Sequence, residues 1–231
     1  MKLHYLFIPL GIILLAAMAV GVYQANSAPL PAGFPPPTPD GNIEVKSYPA
    51  YRAATYRQQG NLAEATNQAF SPLYQHISSN QISMTAPVET RYPNSTLTTA
   101  ESLNTKGEAF VSFLYPSTNI YPEAIASNIQ IEDIPPMTVV SLGLKGGYSY
   151  RNYREGLVRL EDWLKQHPEY EIAGLPRRFF YDGPYIPDVL KRSEIQIPIR
   201  WESMGAIMPR TSPYKPDVKV FPSSGFRCSQ P

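Results

Sequence analysis

The feature of this sequence that most restricts its fold is an internal repeat. Residues 43–60 align with residues 129–146 without a gap, so that Ile43 matches Ile129 near the start of each copy. Each copy alternates apolar and polar residues on both sides of a proline, which is the pattern of two half-buried strands with a proline at the turn between them. The repeat therefore predicts a pair of strands at the same place in each half of the domain.

A helix is predicted after each copy of this strand pair. Apolar residues recur there at helical spacing: Leu62, Ala65, Ala69 and Leu73 in the first half, and Tyr153, Leu157, Leu160 and Leu164 in the second. Asn61 and Ser149 are the predicted N-caps, because asparagine and serine side chains accept hydrogen bonds from the first turn of a helix. Pro72 predicts a kink or a break near Ser71, since proline cannot donate a backbone hydrogen bond.

Two further strand segments follow each helix, in residues 82–90 and 108–116 of the first half and in residues 176–184 and 193–199 of the second. Each half is therefore predicted to fold as strand, strand, helix, strand, strand. Neither half can bury a sheet face alone, so we expect the two to pack about a pseudo-two-fold axis. The result would be an α+β fold with one antiparallel, partly closed sheet and two helices on it. A pocket is expected at the seam between the halves or on the face that the helices leave uncovered.

Three segments differ in composition from the repeated part. The apolar run in residues 5–22 is close to the ~20 residues of a spanning helix, so residues 1–27 are predicted to be a signal peptide or an N-terminal membrane anchor. Residues 28–41 and 202–231 are rich in proline and are predicted to be a linker and a tail. The folded domain is then residues 42–201, in a protein that is exported (periplasmic or extracellular) or anchored to the membrane.

Composition and missing motifs argue against several classes of function. A net charge of +1 gives no general reason to bind nucleic acid. The single cysteine, Cys228, excludes an internal disulfide and a cysteine-based metal cluster. The sequence has no phosphate-binding glycine loop, no GxSxG and no HExxH. Although a Ser-His-Asp triad stays open, nothing points to one, and we predict that the chain is not an enzyme.

Four segments carry a recognisable pattern. They are residues 43–56 (IEVKSYPAYRAATY), 73–90 (LYQHISSNQISMTAPVET), 129–153 and 177–199. In this order and spacing they resemble the SOUL heme-binding family, of which the phrase MTAPV is typical. The resemblance covers about residues 42–200. It implies a distorted antiparallel β-barrel, built from two pseudo-symmetric ββαββ halves with two helices packed on the sheet and related to bacterial effector-binding domains. It also implies heme or another tetrapyrrole as the ligand.

The resemblance implies a position for that ligand as well. In the family the groove runs along the first helix, with the loop before the last strand opposite, which correspond here to residues 61–80 and 181–192. A porphyrin needs a broad apolar slot, aromatic edges and cations for its propionates. The candidate ligand-binding residues are Leu73, His76, Met84, Tyr181, Tyr185, Lys191 and Arg192.

Several of these candidates have a second interpretation. His76 is a possible axial ligand of heme iron, or an ordinary half-buried residue at a helix end. Lys191 or Arg192 would pair with a propionate, or would be solvated loop charges. Met84 fits either the core or a contact to a porphyrin face.

The residues around the predicted strand 177–181 are also ambiguous. Tyr181 and Tyr185 would stack on the edge of the ring, or would pack the loop. Arg177 and Arg178 are neighbours in a strand, so alternation sends them to opposite faces and at most one of them points to a ligand.

The sequence thus predicts a binding protein for heme or a related tetrapyrrole, acting as a carrier, buffer or sensor outside or at a membrane. Two alternatives remain. One is a binding module for another amphipathic small molecule, since pockets are reused with new ligands. The other is a protein-interaction module that docks through the proline-rich segments. The membrane would itself be a partner if residues 1–27 are not cleaved.

Overall fold

The computed structural model describes residues 28–92, 106–183 and 185–201. Within the first half lie β1 (Ile43–Tyr48), β2 (Tyr51–Asn61), α1 (Ala65–Ser79), β3 (Val88–Arg91) and β4 (Lys106–Leu114). Within the second half lie β5 (Ile129–Ile134), β6 (Met137–Lys145), α2 (Tyr150–Gln166), β7 (Tyr170–Ile172), β8 (Arg177–Phe180), a 3₁₀ turn (Asp188–Leu190) and β9 (Arg192–Trp201). The order strand, strand, helix, strand, strand is therefore present in both halves, and β7 is an addition that the sequence did not predict.

The strands form one sheet in the order β1-β6-β9-β8-β3-β4-β2-β5, with β7 paired to β9, and every strand pair is antiparallel. This order reads the same from both ends when each strand is exchanged for its repeat. The register repeats as well: Ile43 faces Leu142, and their counterparts in the other copy, Ile129 and Tyr56, face each other. The pseudo-two-fold arrangement of the halves is thus present in the strand pairing.

The predicted barrel is wrong, because the sheet does not close. The equivalent strands β1 and β5 lie at opposite ends of the sheet and are not paired with each other. The two-fold relation between the halves runs through the central pair β3–β8, so the first strand of each half stands at an edge of the sheet. The fold is an α+β fold with a large open antiparallel sheet and two helices.

The helices follow the predicted spacing but not every predicted boundary. Ser149 caps α2, where its side chain accepts a hydrogen bond from the backbone N–H of Asn152. In the first half β2 extends through Asn61, whose side chain accepts from the backbone of Ala63, and α1 begins later. Instead of breaking near Ser71, α1 continues to Ser79 with Pro72 inside it.

Two apolar cores lie on opposite faces of the sheet. Neighbouring residues of one strand contribute to different cores, as Phe179 and Phe180 of β8 do. The larger core lies under α1 and α2. The smaller one is covered by the segment 28–41, whose Phe34 ring packs against Tyr48 and Tyr51 at 5.0 and 5.3 Å between ring centroids.

The segment 28–41 was predicted to be a spacer, but the structure packs it against the domain. The backbone N–H of Thr38 donates to Glu194 on β9, and the Ala32 N–H donates to the carbonyl oxygen of Pro116. Proline content indicates a backbone outside helices and sheets, and this segment has turns at residues 32–33 and at Gly41. It does not indicate whether such a backbone finds partners, and here Phe34 and Thr38 provide buried ones.

The predicted leader, residues 1–27, and the predicted tail, residues 202–231, lie outside the described residues. Among the residues that are described, neither helix is long and apolar enough to cross a membrane.

Candidate functional site

A cavity of about 680 Å³ lies beside the first turns of α1, between that helix, β8 and the loop residues 181–183 and 186. Six aromatic side chains line it: Phe70, Tyr92, Tyr148, Tyr150, Phe180 and Tyr181. Small-molecule sites have volumes of about 300–1,000 Å³ with mostly apolar walls, so both the size and the lining are those of a ligand site. Its position, along the first helix and opposite the loop before the last strand, is the one that the sequence resemblance implies.

One side of helix α1 packs against the sheet, and the adjacent side forms one wall of the cavity. Ala65, Ala69 and Leu73 are buried against the sheet. Each residue along an α-helix rotates by about 100°, so Thr66 and Phe70, which follow the first two of these, turn towards the cavity. The N-terminal part of α1 therefore serves both the core and the cavity.

Three of the candidate residues lie together in the cavity wall: Met84, Tyr181 and Lys191. The ammonium of Lys191 is 2.7 Å from an oxygen of Asp188 and 5.2 Å from the centre of the Tyr148 ring. Burial raises the pKa of the Tyr181 hydroxyl well above its ordinary value, so this side chain is a neutral phenol.

Leu73 and His76 lie outside the cavity wall, on the core face of α1. Leu73 is fully buried in the larger core. His76 is buried too, with its Nε2 in a 2.7 Å hydrogen bond to the hydroxyl of Tyr115. Burial lowers the pKa of His76, which favours the neutral imidazole. Both residues are buried on the face of α1 that packs against the sheet.

The other two candidates also lie outside the wall. The guanidinium of Arg192 is bound by Asp182, with Nε 3.0 Å from Oδ2 and Nη2 2.7 Å from Oδ1. This pair ties the end of β8 to the start of β9 and leaves Arg192 engaged within the protein. The side chain of Tyr185 is 97% exposed. The ligand-binding roles of all seven candidates stay predictions.

Arg178 is a cavity residue that the sequence named only as one of two neighbouring arginines, of which at most one would point to a ligand. It is 1% exposed, and its guanidinium carbon lies 4.7 Å from the centre of the Phe180 ring. Nη1 donates to the carbonyl oxygen of Ser149 at 2.9 Å, whereas Nε and Nη2 are buried and find no hydrogen-bond partner in the described part of the chain. Its neighbour Arg177 points to the opposite face, where Nη1 donates to the hydroxyl of Tyr51 at 2.7 Å.

Strand alternation therefore separates the two arginines as predicted, but it could not tell which of them faces the cavity. Burial lowers the pKa of Arg178. A guanidinium is nevertheless charged at neutral pH, so a buried positive charge stands in an aromatic wall.

These residues fit a tetrapyrrole in two respects. The aromatic side chains offer flat surfaces to a macrocycle, and Arg178 and Lys191 offer positive charge to its propionates. They offer fewer ligands to a heme iron. No histidine lies in the described wall, and no group of three or more metal-ligating His, Cys, Asp or Glu side chains occurs in the described residues.

Comparison with known proteins identifies the family of the chain. A model of the SOUL heme-binding protein family matches residues 37–198. No curated protein matches the sequence. Among solved structures, the C-terminal domain of EcmrR is 20% identical with a TM-score of 0.56, over 70% of this chain and 98% of that one.

Two further solved structures share the fold. EcmrR in its complex with DNA is 19% identical with a TM-score of 0.56, over 70% of this chain and 58% of that one. The present chain thus spans less than two thirds of that regulator. A hydrolase from Listeria innocua is 10% identical with a TM-score of 0.51, over 71% of this chain and 94% of that one. At such identities these likenesses show the fold alone.

Proposed function

Because the chain belongs to the SOUL heme-binding protein family, we propose that it binds heme or a related tetrapyrrole in the cavity beside α1. The observation that supports this most directly is the wall itself, in which six aromatic side chains surround about 680 Å³ with two cations among them. A flat apolar ring with carboxylates matches that combination of surfaces.

The parts of the wall would hold different parts of the ligand. Phe70 on α1 and Phe180 on β8 would contact the apolar ring, and Met84 would fill the space beside it with a polarisable sulfur. Lys191 and Arg178 would face the carboxylates. Bound heme would add an iron that can take axial ligands. The present position of His76, hydrogen-bonded to Tyr115, does not offer its imidazole to the cavity.

The role that follows is binding, as a carrier, buffer or sensor, and not catalysis. We also propose that the protein is exported or held at a membrane, which the apolar run in residues 5–22 supports. Another amphipathic ligand with an aromatic ring and an acidic group would use the same wall, so a ligand panel belongs in any test.

The test is a heme titration of the full chain followed by absorbance, with two variants of α1. Asn67 is exposed and lies at the cavity, whereas Gln75 is exposed on the same helix outside it. We expect Asn67→Trp to obstruct the cavity and weaken heme binding about tenfold or more, and we expect Gln75→Trp to bind as the parent does. Because all of these proteins share the same N-terminal segment, any heme bound there cancels in the comparison.

A third variant, His76→Ala, tests the axial ligand. With His76 on the core face of α1, we expect the Soret band of bound heme to keep its position. A shifted band would mean that His76 reaches the iron when heme binds. No saturable binding by the parent protein would reject the proposed function, and equal binding by Asn67→Trp would move the site elsewhere.

A further inference from the structure

The loop between β8 and β9 presents large apolar side chains to solvent. Tyr185 is 97% exposed, Val189 72% and Leu190 44%. Single apolar residues scattered over a surface are ordinary, whereas several on one short loop mark a surface that contacts another apolar body. Residues 185–190 thus form an apolar loop that no described part of the chain covers.

Short turns give the apolar loop its shape. The backbone N–H of Ile186 donates to the carbonyl oxygen of Gly183 at 3.2 Å, and that of Leu190 donates to Pro187 at 2.9 Å. The second of these bonds belongs to the 3₁₀ turn that carries Val189 and Leu190. The turn places both side chains on the outside of the loop, where solvent reaches them.

The charged residues of the apolar loop and its flanks form two pairs. An oxygen of Asp188 lies 2.7 Å from the ammonium of Lys191, and an oxygen of Asp182 lies 2.7 Å from the guanidinium of Arg192. Bringing a charge to an apolar phase costs less when the charge is paired. Tyrosine is enriched where a bilayer meets water, because its ring is apolar and its hydroxyl is polar. A loop with apolar side chains, a tyrosine and paired charges fits that interface.

The apolar loop also borders the large cavity. Ile186 lies in the cavity wall, and so does Lys191, which follows the loop directly. Val189 and Leu190 lie outside the described wall. One side of the loop therefore faces the cavity and the other faces solvent, so whatever covers the loop lies beside the cavity.

The start of the described domain lies at the same cavity. Ala28 is part of the wall, and the carbonyl oxygen of Pro29 accepts a hydrogen bond of 2.9 Å from the backbone N–H of Ala86, another wall residue. The apolar run in residues 5–22 is joined to Ala28 by residues 23–27, a link that can span at most about 20 Å. A membrane anchor in that run would hold the cavity, and with it the apolar loop, close to the bilayer.

We propose that the apolar loop docks on the surface of a lipid bilayer and turns the adjoining side of the cavity towards the membrane. The exposed side chains of the loop and the position of Ala28 point to the same side of the domain. The inference rests on the proposed function for the identity of the cavity as a ligand site, and it adds the membrane as the partner of this loop. A flat apolar ligand leaves water for a bilayer as apolar side chains do, so the ligand enters the cavity from the lipid.

The first experiment measures whether the apolar loop touches lipid. The full chain is prepared with Cys228→Ser and one new cysteine, either Val189→Cys or, as the matched control, Leu175→Cys, and this cysteine carries a nitrobenzoxadiazole fluorophore. Leu175 is 51% exposed and precedes β8, whereas Val189 follows it, so the two labels stand at opposite ends of one strand. Each protein is incorporated into phosphatidylcholine vesicles with and without a lipid that carries a doxyl quencher in its acyl chain.

We expect the label at Val189 to shift its emission to the blue and to be quenched by the doxyl lipid, because a docked side chain meets the acyl chains. The label at Leu175 should keep the emission that it has in water. An unquenched label at Val189 would overturn the inference. Quenching at Leu175 as strong as at Val189 would overturn it too, since the membrane would then not distinguish the two ends of the domain.

The second experiment measures the route of the ligand. Val189→Asp and its control Leu175→Asp each place a charge in an exposed loop, and uptake of heme from heme-loaded phosphatidylcholine vesicles is followed by absorbance. We expect Val189→Asp to slow this uptake about tenfold, because a charge opposes insertion, and to keep the affinity of the parent for heme in detergent solution. Leu175→Asp should match the parent in both.

Two results of the second experiment would contradict the inference. One is uptake by Val189→Asp at the rate of the parent. The other is an affinity in detergent that falls as far as the uptake does, which would show that Val189 contacts the ligand. Neither experiment requires a change in the core, because the side chains of Val189 and Leu175 are exposed.

The outcomes separate this inference from the proposed function. If no heme binds but the label at Val189 is quenched, the proposed function fails and the docking surface stands. If heme binds and the label at Val189 is not quenched, the cavity keeps its proposed ligand and the docking surface is rejected.

Discussion

Glu194 is a carboxylate that the fold buries fully and keeps charged. The Nζ of Lys46 lies 2.9 Å from its Oε1, and the Thr38 backbone N–H and the Gln196 amide donate to it as well. Burial alone would raise the pKa of Glu194, but the charge of Lys46 and these hydrogen bonds hold it below the ordinary glutamate value. The stability it contributes is therefore present above about pH 4.3. That stability is lost as the pH falls through the lower folded pKa.

We expect Glu194→Gln to lower the free energy of unfolding at neutral pH by about 3 kcal/mol, because it leaves the buried Lys46 without its counter-charge. The difference from the parent should shrink as the pH falls below about 4. Urea denaturation over a series of pH values measures both effects. Glu171→Gln is the matched control, since its pair with Arg200 is exposed and should contribute little. A difference that stays the same at every pH would contradict the assignment.

At the same scale, the candidate site shows which residue properties are readable in a sequence. The opposite directions of Arg177 and Arg178 were predictable, because the period of a strand is local. Whether each arginine is paired with a carboxylate was not predictable. Arg192 is neutralised by Asp182 across a loop, whereas Nε and Nη2 of Arg178 find no hydrogen-bond partner in the described part of the chain, and this difference depends on contacts that no spacing in the sequence encodes.

The segment 28–41 is the part of the chain whose predicted role, a linker, differs most from its position in the structure, where it packs on the sheet. It crosses β6 so closely that a Cβ at Gly143 would lie 2.2 Å from the carbonyl oxygens of Thr38 and Pro39. We expect Gly143→Ala to lower the free energy of unfolding by about 2 kcal/mol, because two backbone groups would have to move. Gly107→Ala is the control, since its Cβ would meet only Leu62 at an ordinary 3.5 Å. Equal stability of the two variants in urea would contradict the close crossing.

Helix α1 shows that a sequence pattern predicts which side of a helix is apolar, but not what that side packs against. The spacing of Ala65, Ala69 and Leu73 predicted a helix with one apolar side, and that prediction is confirmed. It could not decide whether that side meets a ligand or the sheet, because amphipathicity records only burial. His76, for which both a ligand role and an ordinary buried position were open, lies against the sheet. The cavity uses the next face, where Thr66 and Asn67 are polar and Phe70 alone among the α1 residues of the wall is apolar, too little for an apolar pattern.

For the whole molecule, the repeat predicted the two-fold plan but not the openness of the sheet. Closure would require β1 and β5 to pair with each other. Whether they do depends on the twist and curvature of the sheet, which the pattern of a repeat does not encode. The same plan makes the halves interdependent. Strand pairs β1–β6, β2–β5 and β3–β8 each join one half to the other, so neither half keeps its strand partners when the other unfolds.

Unfolding should therefore be one cooperative transition, and the chain carries a probe that tests this. Both tryptophans, Trp163 and Trp201, lie in the second half, so their fluorescence reports that half while far-UV circular dichroism reports both. Leu73→Ala, a change in the buried core of the first half, should lower the free energy of unfolding by about 2–5 kcal/mol. Because the halves share their strand pairs, we expect its urea midpoint to fall equally by both signals. A fluorescence midpoint that stays in place while the dichroism midpoint falls would show that the halves unfold separately.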